Sequence, residues 1–257
     1  MNSEILNGHV KSEFRNGITT IEFFHPQSNC LPLKILDELT QAIHGAGDDN
    51  DTKLIILKSA GEKAFCAGAS FDELMHVQNA EQGLHFFSGF AHAINAMRTC
   101  PKFIITRVQG KCVGGGVGLV AASDYAIATE QAEIKLSELA IGLGPFVVGP
   151  AVERRIGLSA FSQLAIDAAM WRSAQWAGRK GLFAEVHPTL DGMDKSITKL
   201  ADSLSHSSPE AMAEMKKVFW KGTENWDKFL LERADISGRL ALSSFMRDAI
   251  EKFKAKR

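Results

Sequence analysis

Phe65-Cys66-Ala67-Gly68-Ala69-Ser70-Phe71 and Gly110-Lys111-Cys112-Val113-Gly114-Gly115-Gly116-Val117-Gly118 are the two segments on which the reading of this chain turns. Each follows an apolar, strand-like run and leads into helix-like sequence. Their small residues leave backbone N–H groups unshielded. Brought together, two such turns can hold one oxyanion between two backbone donors. That is a site for carbonyl chemistry with no catalytic side chain in the hole itself. Three glycines opening a helix weaken it relative to alanine. The cost makes sense if a ligand must approach the backbone and the helix N-terminus faces developing negative charge.

Upstream, Val10 to Phe14 and Ile18 to Phe23 flank Asn16-Gly17, a hairpin signal. Leu33, Leu36, Leu39 and Ile43 then recur at helical spacing. Leu54-Ile55-Ile56-Leu57 and Phe103 to Val108 read as buried strands. Phe71 to Met75, Glu81 to Met97 and a short stretch to Ala122 read as helices. Tyr125 to Ala128, Ile134 to Leu136 and Phe183 to Val186 are further strand candidates. Val152 to Ile156, Ala160 to Ala169 and Ala174 to Lys180 look helical, and beyond Asp194 the pattern is helix after helix. Ser208 before Pro209-Glu210 is an N-cap with proline at the first helical position. The expectation is an α/β core over residues 1–200, followed by a helical region over 201–257.

The 257 residues carry a net charge of -1, 45% hydrophobic and 23% charged residues, so a packed core is expected and no basic surplus favours nucleic acid. Cys30, Cys66, Cys100 and Cys112 form no C-x-x-C pair, and no H-E-x-x-H is present, so no metal site is expected. Without a signal-peptide pattern or a membrane-length apolar run, the chain reads as cytoplasmic with no membrane partner. The spacing Gly116-x-Gly118-x-x-Ala121 formally fits a dinucleotide fingerprint. However, Gln109 to Val113 separate strand from glycines, and the helix is too short for a crossover. No G-x-S-x-G elbow supports a serine esterase. His85 and His92 read as solvated or packed, and Asp72-Glu73 as a solvated helix start. Phe71, Met75, Phe86 and Phe87 are divided between core packing and an acyl pocket. The four tryptophans, Trp171, Trp176, Trp220 and Trp226, read as core or interface.

Taken in order, the two glycine-rich segments, Ser123-Asp124-Tyr125-Ala126-Ile127-Ala128 and Ser137-Glu138-Leu139-Ala140-Ile141-Gly142 resemble the signature segments of the crotonase family, the enoyl-CoA hydratases and isomerases. The resemblance implies a crotonase-like spiral of ββα units with a C-terminal helical trimerisation region, assembled as a homotrimer or hexamer. It implies an acyl-CoA substrate, with coenzyme A as part of that substrate and no separate cofactor. The N–H groups of Ala69 and Gly115 would bind the thioester oxygen, each donor contributing about 3 kcal/mol in the transition state. Glu138, in the apolar stretch Ile134 to Leu143, would be the acid–base group, its pKa raised by partial burial. Leu31, Ala67, Gly68, Ser70 and Phe71 would grip the substrate, with Phe253 and Lys256 of the C-terminal helix matching positions that reach a neighbouring subunit's CoA.

One departure bears on the reaction. Family hydratases usually carry a second glutamate where this chain has Gly118. A single carboxylate suffices to move a double bond, and Gly144-Pro145-Phe146 is more like some family isomerases. Hydration and isomerisation both remain open. Thioester hydrolysis, decarboxylation, and a non-catalytic acyl-CoA- or RNA-binding relative are the alternatives.

Overall fold

In the computed structural model, residues 8–254 are described, with side chains through Ala249. Strands β1 (His9–Arg15) and β2 (Ile18–Phe24) form the expected antiparallel hairpin. Its turn is made by Asn16 and Gly17, both with positive φ (52° and 79°), the conformation that Asn-Gly favours. Helix α1 (Leu33–Asp48) follows, burying Ile35, Leu36, Leu39 and Ile43. Next come β3 (Leu54–Ser59), β4 (Ala64–Cys66), the four-residue helix α2 (Phe71–Leu74) and α3 (Ala80–Thr99). A third round supplies β5 (Phe103–Val108), β6 (Lys111–Val113) and α4 (Gly115–Ala122). A fourth supplies β7 (Tyr125–Thr129), β8 (Ile134–Lys135), a 3-10 turn (Glu138–Ile141) and α5 (Gly149–Ile166). Helix α6 (Ala174–Arg179), strand β9 (Glu185–His187) and helices α7 (Leu190–Ser205), α8 (Pro209–Phe219), α9 (Trp226–Leu240) and α10 (Ser244–Lys254) complete the chain.

The strands sort into two sheets by alternation. β1-β2-β3-β5-β7-β9 form one sheet, parallel from β2 onward, and β4-β6-β8 form a second, fully parallel one. In each of the middle rounds the first strand joins the large sheet, the second joins the small one, and a helix returns. This is the spiral of ββα units expected from the sequence. Of the small sheet only β8 falls on an expected strand, Ile134 to Leu136; β4 and β6, of three residues each, are shorter than any alternation pattern can mark.

Buried polar groups fix the corners between the sheets. Gln109, almost fully buried, donates from Nε2 to Ser59 Oγ (2.8 Å) and Ala64 O (3.1 Å), while its backbone carbonyl accepts from Thr129 Oγ1 (2.8 Å). Asn29 donates from Nδ2 to Ala60 O and Ala64 O. These bonds supply acceptors and donors where the ladders break off, which buried backbone requires.

Helix α7 runs through position 200 and packs on β5 and β7, so the seam expected there lies inside a helix belonging to the sheet layer. Within α5, Gly157 has φ 76°, dividing it where the sequence pattern also breaks. Asp72 and Glu73 are not merely solvated. Gln27 Nε2 donates to Asp72 Oδ2 (2.8 Å), and the Leu33 amide donates to Glu73 Oε2 (2.8 Å), closing the start of α1. Among the described residues, no helix is long and apolar enough to cross a membrane.

The C-terminal helices are tied to the sheet by a buried ion pair. Lys216 Nζ lies 2.8 Å from Asp124 Oδ2 and also donates to Lys102 O (2.8 Å), and both side chains are nearly solvent-free. Asp124 additionally accepts from the Ile104 amide and Trp220 Nε1. Removing one partner of such a pair strands a buried charge. Lys216→Met is therefore expected to destabilise the fold by about 3–5 kcal/mol in urea unfolding. The double variant Lys216→Met/Asp124→Asn should lose less than Lys216→Met alone.

Candidate active site

The pairing of β4 with β6, with Cys66 opposite Cys112, brings the two glycine-rich turns side by side. Close backbone approach then explains the glycines. A Cβ on Gly116 would sit 2.6 Å from Cys66 Cβ, inside the seam between the two turns. One on Gly115 would sit 2.1 Å from Phe90 Cε1, so the Phe90 ring can lie against this residue only because it has no side chain. Gly114 has φ 51°, and a Cβ there would lie 3.0 Å from Glu138 Oε1. The triple glycine thus accommodates the carboxylate, an aromatic ring and the neighbouring loop in three successive residues.

Ala67, Gly68, Ala69, Gly114, Gly115 and Glu138 line one cavity that opens at its mouth. Gly115 is the first residue of α4, and the first amides of a helix have no intrahelical acceptor. Gly68 takes the Leu31 N–H on its carbonyl (2.8 Å), which fixes the strand-like register of Leu31 against Ala69. The rest of the wall is mainly hydrocarbon: Phe71, Leu74, Phe87, Phe90, Val147 and Val148 among others. Of the four residues divided between core and pocket, Phe71 and Phe87 reach the cavity. Phe86 instead packs edge-on against Phe87 (5.0 Å, 84°), and Met75 packs on the core.

Glu138 begins the 3-10 turn, which closes at Gly142 in the left-handed region. Helix α10 packs against this turn, with the Phe245 ring occupying the space a Gly142 side chain would need. Glu138 Oε2 is sealed from solvent and has no hydrogen-bond partner among the described residues. Burial disfavours its charged form and pushes its pKa up to about 7. A carboxyl poised there can both take and return a proton near neutral pH. The nearby thiols are no competitors: burial pushes Cys66 up to about 12 and Cys112 well above its ordinary value.

Two of the expected contact residues stand behind the site instead of in it. Leu31 is fully buried in the core, and its contribution is the backbone bridge to Ala69. Ser70 is buried as the N-cap of α2, its Oγ accepting from the Glu73 amide (3.3 Å). Neither lines the cavity, because β-like geometry on one side and a helix start on the other turn both side chains to structural use. Lys256 lies outside the described residues, and Phe253 outside the described side chains.

A wider groove continues from the mouth, sharing Ala67, Ala69, Phe71, Val113, Ser137 and Ile141 with the cavity and extending past Lys135, Ala168 and Phe245. On its flank Lys111 Nζ and Lys135 Nζ lie 4.6 Å and 4.5 Å from the centre of the Trp171 ring. Sequence reasoning missed this pair, since the lysines stand on separate strands and only β6–β8 pairing brings them to one indole.

Position 118 decides what else the cavity can hold. A Cβ on Gly118 would fall 2.5 Å from Val148 Cγ1. The place where a second carboxylate would start is therefore filled by a valine from α5's N-cap.

A family model described as "Enoyl-CoA hydratase/isomerase" matches residues 13–252. Among similar proteins, a peroxisomal Delta(3,5)-Delta(2,4)-dienoyl-CoA isomerase of Arabidopsis thaliana is 28% identical, covering 76% of this chain and 74% of its own. A (7aS)-7a-methyl-1,5-dioxo-2,3,5,6,7,7a-hexahydro-1H-indene-carboxyl-CoA hydrolase of Mycobacterium tuberculosis is 26% identical, covering 79% and 80%. An enoyl-CoA hydratase structure from Bacillus halodurans superposes with a TM-score of 0.87 at 21% identity, over 95% of this chain and 99% of that one.

A carboxyl with a pKa of about 7 gives two linked expectations. Used as a base, Glu138 must be ionised, so kcat/KM should rise with pH and level off above about 7. Glu138→Gln should lower kcat by about 10²–10⁴ and remove that rise. For stability the sign reverses. The folded pKa lies above the unfolded one, so ionising Glu138 as pH rises through about 7 destabilises the native state. Thermal melts should therefore show Glu138→Gln gaining on wild type at pH 8 relative to pH 5.

Proposed function

The chain belongs to the enoyl-CoA hydratase/isomerase family, and from that premise we propose that it moves the double bond of an enoyl-CoA thioester with one carboxylate. The observation that carries this reading is the filled position at Gly118, where Val148 leaves no space for the second glutamate of a hydratase. In the proposed reaction a 3-enoyl thioester lies with its carbonyl oxygen between the Ala69 and Gly115 amides. Glu138 removes a proton from carbon 2. The electron pair spreads over the thioester oxygen and carbon 4 as a dienolate, and the two N–H donors stabilise the charge on oxygen. The same carboxyl then returns the proton to carbon 4, and the double bond stands between carbons 2 and 3. Nothing is added or lost, so no water has to be held. The apolar walls around Glu138 suit that requirement.

Coenzyme A belongs to the substrate in this reading, with the pantetheine arm in the outer groove. Lys135, which lines that groove beside Trp171, supplies positive charge there for phosphate, whereas Lys111 on the same indole is paired with Glu133. Self-association is the further part of the proposal. It is supported by Leu158 and Ile166 on α5 and Val218 on α8, whose side chains are largely exposed (64%, 72% and 69%).

The test offers 2-enoyl-CoA and 3-enoyl-CoA in parallel to the wild type. Conversion of the 3-enoyl substrate without change of mass, lost in Glu138→Gln, is the expected result. Gain of one water from 2-enoyl-CoA at comparable rate, release of free CoA thiol, or loss of carbon dioxide would overturn the isomerase reading. As a companion, Gly118→Glu alone should remain without hydration, whereas Gly118→Glu/Val148→Gly, which removes both clashing atoms, Cγ1 at 2.5 Å and Cβ at 2.7 Å, should acquire it. For the groove, Lys135→Ala should raise KM for an acyl-CoA several-fold and leave KM for the matching acyl-pantetheine unchanged.

A further inference from the structure

The cavity wall contains one polar side chain that the proposed reaction does not use. Ser237 stands on α9, is 2% exposed, and lines the cavity together with Phe87, Phe90 and Val148. It does not line the outer groove, which places it away from the shared mouth. Its hydroxyl makes no hydrogen bond among the described residues, yet Oγ is not among the sealed, partnerless atoms. The space it opens onto is the cavity. A hydroxyl inside a hydrocarbon wall costs free energy unless something pairs with it.

Packing does not account for the hydroxyl. At the next residue, α9 crosses α3 backbone to backbone: a Cβ on Gly238 would lie 2.7 Å from Gly83 C, and one on Gly83 2.7 Å from Gly238 Cα. Such a crossing calls for small residues, and alanine at position 237 would meet that need with better helix propensity. Serine adds a donor and acceptor facing the ligand space, and nothing else.

We infer that the cavity is built for an acyl chain that carries an oxygen, a hydroxyl or a keto group, on the part distant from the thioester, and that Ser237 recognises it. Ser237 is then a specificity-determining residue. The mouth residues hold the thioester, the phenylalanines enclose the chain, and the Ser237 hydroxyl pairs with the distal oxygen. The inference rests on the acyl-CoA reading above but not on which reaction follows, so it is tested by binding alone.

The probes are saturated hexanoyl-, octanoyl- and decanoyl-CoA, each paired with its ω-hydroxy counterpart, titrated calorimetrically into wild type, Ser237→Ala and Ser237→Cys. At the chain length that spans the cavity, wild type should bind the hydroxylated member about three- to tenfold more tightly, the range for one neutral hydrogen bond. Both variants should lose that preference, the cysteine while keeping nearly the same volume. No preference in wild type at any length, or an undiminished one in both variants, would overturn the inference and leave the acyl-CoA reading standing. Absence of binding by all six thioesters would overturn both.

Discussion

The small parallel sheet of β4, β6 and β8 is the constraint on which the site depends. Each of its strands has only two or three residues, so few ladder bonds hold it. The corner bonds of Gln109 and Asn29 and the seam between Gly116 and Cys66 supply the rest. Once the sheet is closed, the loop after β4, the helix after β6 and the turn after β8 must emerge at one place. Those three emergences carry Ala69, Gly115 and Glu138. The site is therefore a consequence of one repeated unit, strand-strand-helix, reaching the same edge three times.

Chemistry at that edge follows from what is kept out. Removing side chains at Gly114, Gly115 and Gly116 lets a carboxylate, an aromatic ring and a second loop approach one stretch of backbone. Surrounding hydrocarbon then does two things with opposite signs. It raises the pKa of Glu138, which weakens the folded state above neutral pH, and it places that carboxyl where proton transfer in both directions is accessible. Val148 extends the same exclusion to position 118. In the proposed reaction, stability and reactivity are linked through the one group, Glu138.

Much of this was legible along the chain. The hairpin at Asn16-Gly17, the α1 stripe and the strands β3, β5 and β7 follow from turn chemistry and periodicity, which act over a few residues. The two glycine-rich turns and the position of Glu138 were legible too, because backbone exposure is written in small residues. Brief strands such as β4 and β6 were not, since a three-residue strand has no period. β9 begins two residues later than the apolar run at Phe183 suggested, for its bounds are set by pairing with β7. Leu31 and Ser70 show the same limit at the site: sequence order puts them beside contact residues, and side-chain direction turns them into the core and into a helix cap.

The sequence by itself determined the family, the order of the ββα units, and the two glycine-rich turns and the Glu138 segment that meet at the cavity, because each is carried by residues adjacent in the chain. Tertiary structure alone decided what fills the space around them. Val148 against Gly118, Phe90 against Gly115, Lys111 and Lys135 about one indole, and Ser237 on the cavity wall are all meetings of residues from different elements. Steric exclusion and pairing act through space, and only the folded sheets bring those residues within reach of one another.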